Sequence, residues 1–283
     1  MKILFVNIPA GEKNNEFGRV FKNALVPLWK RNIDMVKQED TRVVFRCSTW
    51  GMGEMDTSFY RYMDHLASSM IYHVSCRAEE EGFDAVAIAC FGDPMAWEMR
   101  QALNIPVVCI GESSMLLSTL MGLKFGVVTI SPYNVPGQEE RIAKYGFKER
   151  SAGVRVIPES SEEQVKALTN AGATIEAFKQ AARELIADGA EIVIPGCSLM
   201  SPALRLAPGA EKEYPDGVTE VDGVPIADVI SDTIKLAETL VSLKKAGSSW
   251  ISRKCLYAQA TPIAKEFGKM LTEDARVKYW DVE

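Results

Sequence analysis

A chain of 283 residues, 47% hydrophobic and 25% charged, is long enough for two domains of the usual ~100–200 residues and too apolar to be disordered. Its formal net charge of −6, without any cluster of Lys and Arg, argues against a nucleic-acid partner, because neutralising phosphates takes a basic patch. No stretch reaches the ~18 apolar residues of a membrane span, and the opening MKILFVNIPAG is too short for a signal sequence, so a cytoplasmic location without a membrane partner is expected.

In that compartment the six cysteines, Cys47, Cys76, Cys90, Cys109, Cys197 and Cys255, are expected as thiols. None forms a CxxC pair, so no metal site is expected.

Taken in chain order, runs of Val, Ile, Leu, Phe and Ala predict buried parallel strands at 2–8, 42–47, 85–89, 107–110, 125–130, 154–157 and 192–194. Helical periodicity predicts helices at 57–81, 94–103, 162–188 and 227–244. This alternation is that of α/β proteins with doubly wound open sheets. The first domain is expected at 1–113, joined by 225–283 when the run DGVPIADVISDTIKLAETLVSL returns as a helix, and the second at 114–224. RLAPGAEKEYPDGV, rich in turn formers and charge, is expected as a surface excursion. The stretch from Trp250 onward adds a helix for packing or assembly.

Two segments look alike: FDAVAIACFGDP and GAEIVIPGCSLMSP each read as a strand ending in cysteine, Cys90 and Cys197. In open α/β sheets ligands bind beyond the carboxyl ends of the strands, although a small apolar thiol is also common in ordinary cores. Gly92 allows close backbone approach, Pro94 and Pro202 suit first helical turns, and Ser198 can cap. Free N–H groups at such helix starts favour a thiolate.

ACFGDP, PVVCIGESS, FGVVT and PGCSLMSP, in this order within residues 1–245, resemble the Asp/Glu/hydantoin racemase superfamily. The CFGDP segment is most similar to its hydantoin and allantoin racemase branch, since the amino-acid racemases usually carry a CNT-type segment there. The second cysteine segment lacks the histidine found near it in glutamate racemases.

The resemblance implies two flavodoxin-like, doubly wound parallel-sheet domains with the active site in the interdomain cleft. It implies Cys90 and Cys197 as acid and base on opposite faces of a stereocentre, acting without a cofactor on a small molecule such as a hydantoin, allantoin or amino-acid derivative. Carbon-acid inversion fits such a pair, because one group removes the proton while another replaces it from the far side. Backbone N–H groups of Phe91, Gly92, Ser198 and Leu199 are candidates to hold the developing enolate.

Asn7 stands where the family often places an Asn or Asp on the substrate, although NIPAG replaces the family's NPN-like turn. Thr49 matches a loop that borders the site, and with Ser48 and Gly51 it fits a plain turn equally well. Thr129 suits a substrate contact or a strand-end bond. Glu112 and Asp93 suit substrate orientation or capping. His65 and His73 share a helix without metal-ligand spacing, and Trp50, Met52, Tyr60 and Tyr62 suit a pocket lining or a core.

Met95 replaces the glycine of many hydantoin racemases, and Leu199 a small residue. Two alternatives remain: cis-trans isomerisation of a maleate-like diacid by one nucleophilic cysteine, and a noncatalytic small-ligand sensor on the same fold. Decarboxylation needs one cysteine, and two are present. A homo-oligomer is expected on general grounds.

Overall fold

All seven strands expected from the apolar runs form in the computed structural model, which describes residues 1–7, 16–49, 60–157, 159–273 and 278–283. The chain begins β1 (Lys2–Val6), α1 (Glu16–Val20), α2 (Val26–Asp34), β2 (Arg42–Ser48), α3 (Arg61–Ser75), β3 (Ala85–Ile88), α4 (Ala96–Ala102) and β4 (Val107–Cys109). It continues with α5 (Ile110–Met121), β5 (Phe125–Thr129), α6 (Val135–Lys144), β6 (Ser151–Val156), α7 (Ser161–Lys166), α8 (Gly172–Ala187), β7 (Ile192–Pro195) and α9 (Met200–Leu206). The last elements are β8 (Glu220–Val221), β9 (Val224–Pro225), α10 (Val229–Lys245), α11 (Pro262–Glu273) and β10 (Tyr279–Val282).

Two compact units result, residues 1–22, 37–109 and 233–283 in the first and 23–36 and 110–232 in the second. In the first unit the sheet order is β10-β2-β1-β3-β4, and in the second it is β6-β5-β7. Each unit sets its first parallel strand between its second and third, the flavodoxin-like winding. The sheets are buried on both faces, which is why β1 (KILFV) and β7 (IVIP) lack polar alternation. Phe178 and Leu185 of α8 close one core, and Gly126 of β5 makes room, since a Cβ there would lie 2.8 Å from Leu185.

Several expectations need correction. Residues 23–36, 110–113 and 225–232 group with the second unit, not the first. Hydrogen bonding explains the assignment of α2: Asn32 Nδ2 donates to Asp228 at 2.7 Å and to Ser231 Oγ at 3.0 Å. The first sheet is not wholly parallel, because β10 adds to β2 antiparallel. The helix expected at 57–81 ends at Ser75 and passes into turns that Gly82 closes at φ +76°, while 57–59 lie outside the described residues. The helix expected at 162–188 is two, because the Ala171 N–H donates to the Pro208 carbonyl at 2.8 Å across the gap. The excursion after α9 is exposed only in its middle, and its ends fold back so tightly that a Cβ on Gly217 would lie 1.9 Å from the Arg205 carbonyl oxygen.

Arg46 ties β10 into the first sheet. Its buried guanidinium bonds both oxygens of Asp281, at 2.8 and 2.9 Å, and Glu81 at 2.7 Å, and it lies 3.9 Å from the centre of the Tyr279 ring. In the second unit Asp232, in the first turn of α10, is less well served: Oδ2 is buried without a hydrogen-bond partner. Burial, and then the nearby charge of Asp228, push its carboxyl up to about 8, against one hydrogen bond with Ser114.

A carboxyl whose folded pKa lies above its unfolded value of ~3.9 binds protons better when folded, so its contribution to stability declines as pH rises from about 4 to about 8. Asp232→Asn removes the charge with little change of shape. We expect it to flatten that decline and to be more stable than wild type at pH 8 by about 1–3 kcal/mol. Urea melts at pH 5 and pH 8 measure this, and an unchanged slope would contradict it.

Candidate active site

The carboxyl ends of β2, β1 and β3 lie side by side in the first unit and lead into Thr49, Asn7 and Cys90. Asn7 is buried, and the next strand holds its level through the bond from Ala89 N–H to the Val6 carbonyl at 2.7 Å. The Thr49 hydroxyl is occupied by backbone: it donates to the Lys278 carbonyl at 3.0 Å and accepts from the Lys278 N–H at 3.2 Å. Trp50, Gly51 and Met52 lie outside the described residues.

Beyond half-buried Cys90 the chain turns sharply. Its Sγ accepts the Gly92 N–H at 3.4 Å, and its carbonyl accepts the Asp93 N–H at 2.9 Å. Asp93 and Met95 both adopt left-handed backbone, φ +48° and +58°, which costs a non-glycine residue ~1–3 kcal/mol and persists where surrounding structure enforces it. Helix α4 therefore begins at Ala96, two residues after the proline expected to open it. Phe91 and Asp93 are buried.

In the second unit Thr129 is the last residue of β5, and Cys197 lies two residues beyond β7. Gly196 N–H donates to the Val128 carbonyl at 2.7 Å, which brings the two strand ends together. The Thr129 carbonyl accepts from Ile157 at 3.0 Å, whereas its hydroxyl is buried without a hydrogen-bond partner. Such a group costs free energy unless something else satisfies it.

Cys197 Sγ accepts the Leu199 N–H at 3.4 Å. Burial pushes this thiol up, and the N–H groups of Met200 and Leu199 pull it part of the way back. Ser198 does not cap the helix: α9 starts at Met200 after Leu199, with no side-chain cap. Its carbonyl instead accepts the indole Nε1–H of buried Trp29 at 2.8 Å. Nothing local in the sequence marked Trp29 as a support for the Cys197 loop, since the bond spans 169 positions.

The two cysteines thus share one local geometry, a sulfur at a parallel strand end accepting the N–H two residues later at 3.4 Å. Of the four residues expected to offer N–H groups, Gly92 and Leu199 direct theirs at the adjacent sulfurs. The structure gathers Asn7, Thr49, Cys90, Phe91 and Gly92 at one set of strand ends, and Thr129, Cys197, Ser198 and Leu199 at the other.

Tyr60 and Tyr62 are exposed and face each other at 6.5 Å, so neither joins a core. Glu112 sits in the first turn of α5. Cys47 and Cys109 are buried, Cys255 is exposed, and burial, then the charge of Asp281, push Cys47 well up. Burial lowers His73. Among the described residues no three His, Cys, Asp or Glu side chains gather as a metal site.

Residues 41–229 match the family described as Asp/Glu/Hydantoin racemase. A hydantoin racemase from Pseudomonas sp. (strain NS671) is 29% identical over 212 residues, covering 75% of this chain and 78% of that protein. A hydantoin racemase from Paenarthrobacter aurescens is 32% identical over 173 residues, covering 59% and 66%. Among solved structures, allantoin racemase from Pseudomonas fluorescens superposes with a TM-score of 0.68 at 25% identity, covering 93% of this chain and 98% of that one. Allantoin racemase from Klebsiella pneumoniae, at 21% identity and a TM-score of 0.71 over 92% and 94%, shares the fold.

Trp29→Phe keeps an apolar ring and removes the donor to the Ser198 carbonyl. We expect a loss of about 1–3 kcal/mol and faster alkylation of Cys197 by iodoacetamide, read by peptide mass spectrometry. Unchanged alkylation would show that this bond does not hold the loop.

Proposed function

The chain belongs to the Asp/Glu/hydantoin racemase family, and we propose that it is an isomerase inverting a carbon alpha to a carbonyl in a hydantoin or allantoin, with Cys90 and Cys197 as its two acid–base groups. The observation that carries this reading is the repeated sulfur geometry, two strand-end thiols each accepting an N–H at 3.4 Å. The substrate class follows the relatives, hydantoin racemases by sequence and an allantoin racemase by structure at 25% identity.

The chemistry is a proton relay across a planar intermediate. One sulfur, as thiolate, removes the proton from the ring carbon, and the C–H electron pair passes into the adjacent carbonyl to give an enolate. The other sulfur, as thiol, delivers a proton to the opposite face, and the electron pair returns to carbon. Each turnover leaves the pair with its protonation exchanged, ready for the opposite enantiomer.

Burial pushes Cys197 up, which suits it to the role of proton donor. The unpartnered Thr129 hydroxyl, on the strand beside β7, is suited to donate to a substrate oxygen where negative charge develops. Proton transfer of this kind moves no electrons to an acceptor, so no cofactor is required. The thiols must stay reduced, which suits the cytoplasm.

Cys90→Ala and Cys197→Ala are each expected to lower inversion of an optically pure 5-substituted hydantoin or allantoin by about 10²–10⁴-fold, measured by polarimetry. Wild-type enzyme in deuterium oxide is expected to place deuterium at the stereocentre of the inverted product. Full activity in either variant would end the two-thiol scheme. Activity on a maleate-like diacid surviving in one variant would favour single-cysteine addition, and ligand binding without any exchange would favour a sensor.

A further inference from the structure

Helix α5 turns three serines inward and three large apolar side chains outward. Its buried residues are Ile110, Gly111, Ser113, Ser114, Met115 and Ser118, and the hydroxyls of Ser113 and Ser118 are buried without hydrogen-bond partners. Its exposed residues are apolar: Leu116 at 41%, Leu120 at 79% and Met121 at 54%, followed by Leu123 at 62% in the turn beyond. A surface helix in water normally shows the reverse arrangement. Single exposed leucines need no explanation, but a contiguous stripe rimmed by charge marks an interaction surface.

The charges around this stripe identify what covers it. Glu112, Leu116 and Leu120 are spaced by four and so lie along one ridge of the helix, with the acid at its amino end. The carboxyl end is basic. Arg150 Nη2 donates to the Thr119 and Gly122 carbonyls at 2.9 and 3.0 Å, exposed Lys124 follows, and Glu191, whose Oε2 accepts the Leu123 N–H at 2.6 Å, offsets one of these charges. A stripe that is acidic at one end, basic at the other and leucine in the middle complements itself when turned end over end. Parallel pairing would instead set Glu112 against Glu112.

We propose that α5 packs antiparallel against α5 of a second copy of this chain, about a two-fold axis crossing the helix near Ser118. Leu116 of one copy then meets Leu120 of the other, twice, and each Glu112 reaches the Lys124 and Arg150 end of its neighbour. Such an isologous contact closes on itself and yields a dimer, or an assembly built from that dimer. This inference is independent of the racemase reading, because α5 carries neither reactive thiol.

The full chain is expected to scatter light as at least twice the 31.3 kDa of one chain at micromolar concentration. Leu120→Glu is expected to halve that mass with an unchanged circular dichroism spectrum. Glu112→Lys is expected to weaken association by about tenfold, and Glu112→Lys with Lys124→Glu to recover most of it. A monomeric wild-type chain, or a folded Leu120→Glu variant that keeps the wild-type mass, overturns the proposal. Should Leu120→Glu fail to fold, the charge pair decides: no weakening by Glu112→Lys, or no recovery in the double variant, overturns it equally.

Discussion

A sulfur set at the end of a parallel strand is pulled by two opposed effects, removal of water, which favours the neutral thiol, and convergent backbone N–H groups, which favour the thiolate. At Cys197 burial is the larger, and the N–H groups of Met200 and Leu199 moderate it. Much of the second unit serves this balance. The unbroken apolar run of β7 carries the chain inward, Gly196 turns it beside β5, and the indole of Trp29 fixes the next carbonyl so that the following N–H groups face the sulfur.

The counterpart loop after Cys90 reaches a similar end by backbone strain. Met95 adopts φ +58°, a conformation in which glycine is at ease and a longer side chain is not. The CFGDP resemblance implies glycine at this position in many hydantoin racemases, so Met95 keeps left-handed backbone at an energetic cost and adds a flexible apolar side chain. Asp93, also left-handed and buried, doubles that cost. Both strained residues lie within five positions of Cys90, where the surrounding structure holds the loop at a cost in stability.

The sheets and both cysteine loops were legible in the sequence because buried parallel strands announce themselves as apolar runs and the motifs follow them directly. Long-range bonds were not legible. The periodicity at 162–188 is helical throughout, and only the Pro208 carbonyl, supplied from a loop after α9, splits it at Ala171. The assignment of 23–36 to the second unit depends on Asn32 meeting Asp228 and Ser231 about two hundred positions later. Thr49 illustrates the same limit at the site: family position pointed to a ligand, and the fold gives its hydroxyl to the backbone of Lys278.

Strand β10 moves the open edge of the first sheet from β2 to itself. An outermost strand bares a row of unsatisfied N–H and C=O groups on which another polypeptide can build. By laying Tyr279–Val282 along Ser48 to Phe45, and locking Asp281 onto Arg46, the tail of the chain occupies the row that β2 would otherwise offer. Loss of Tyr279–Val282 would therefore move that open row from a strand of 4 residues to the 7 residues of β2, a longer template for edge-to-edge aggregation, without touching Cys90 or Cys197.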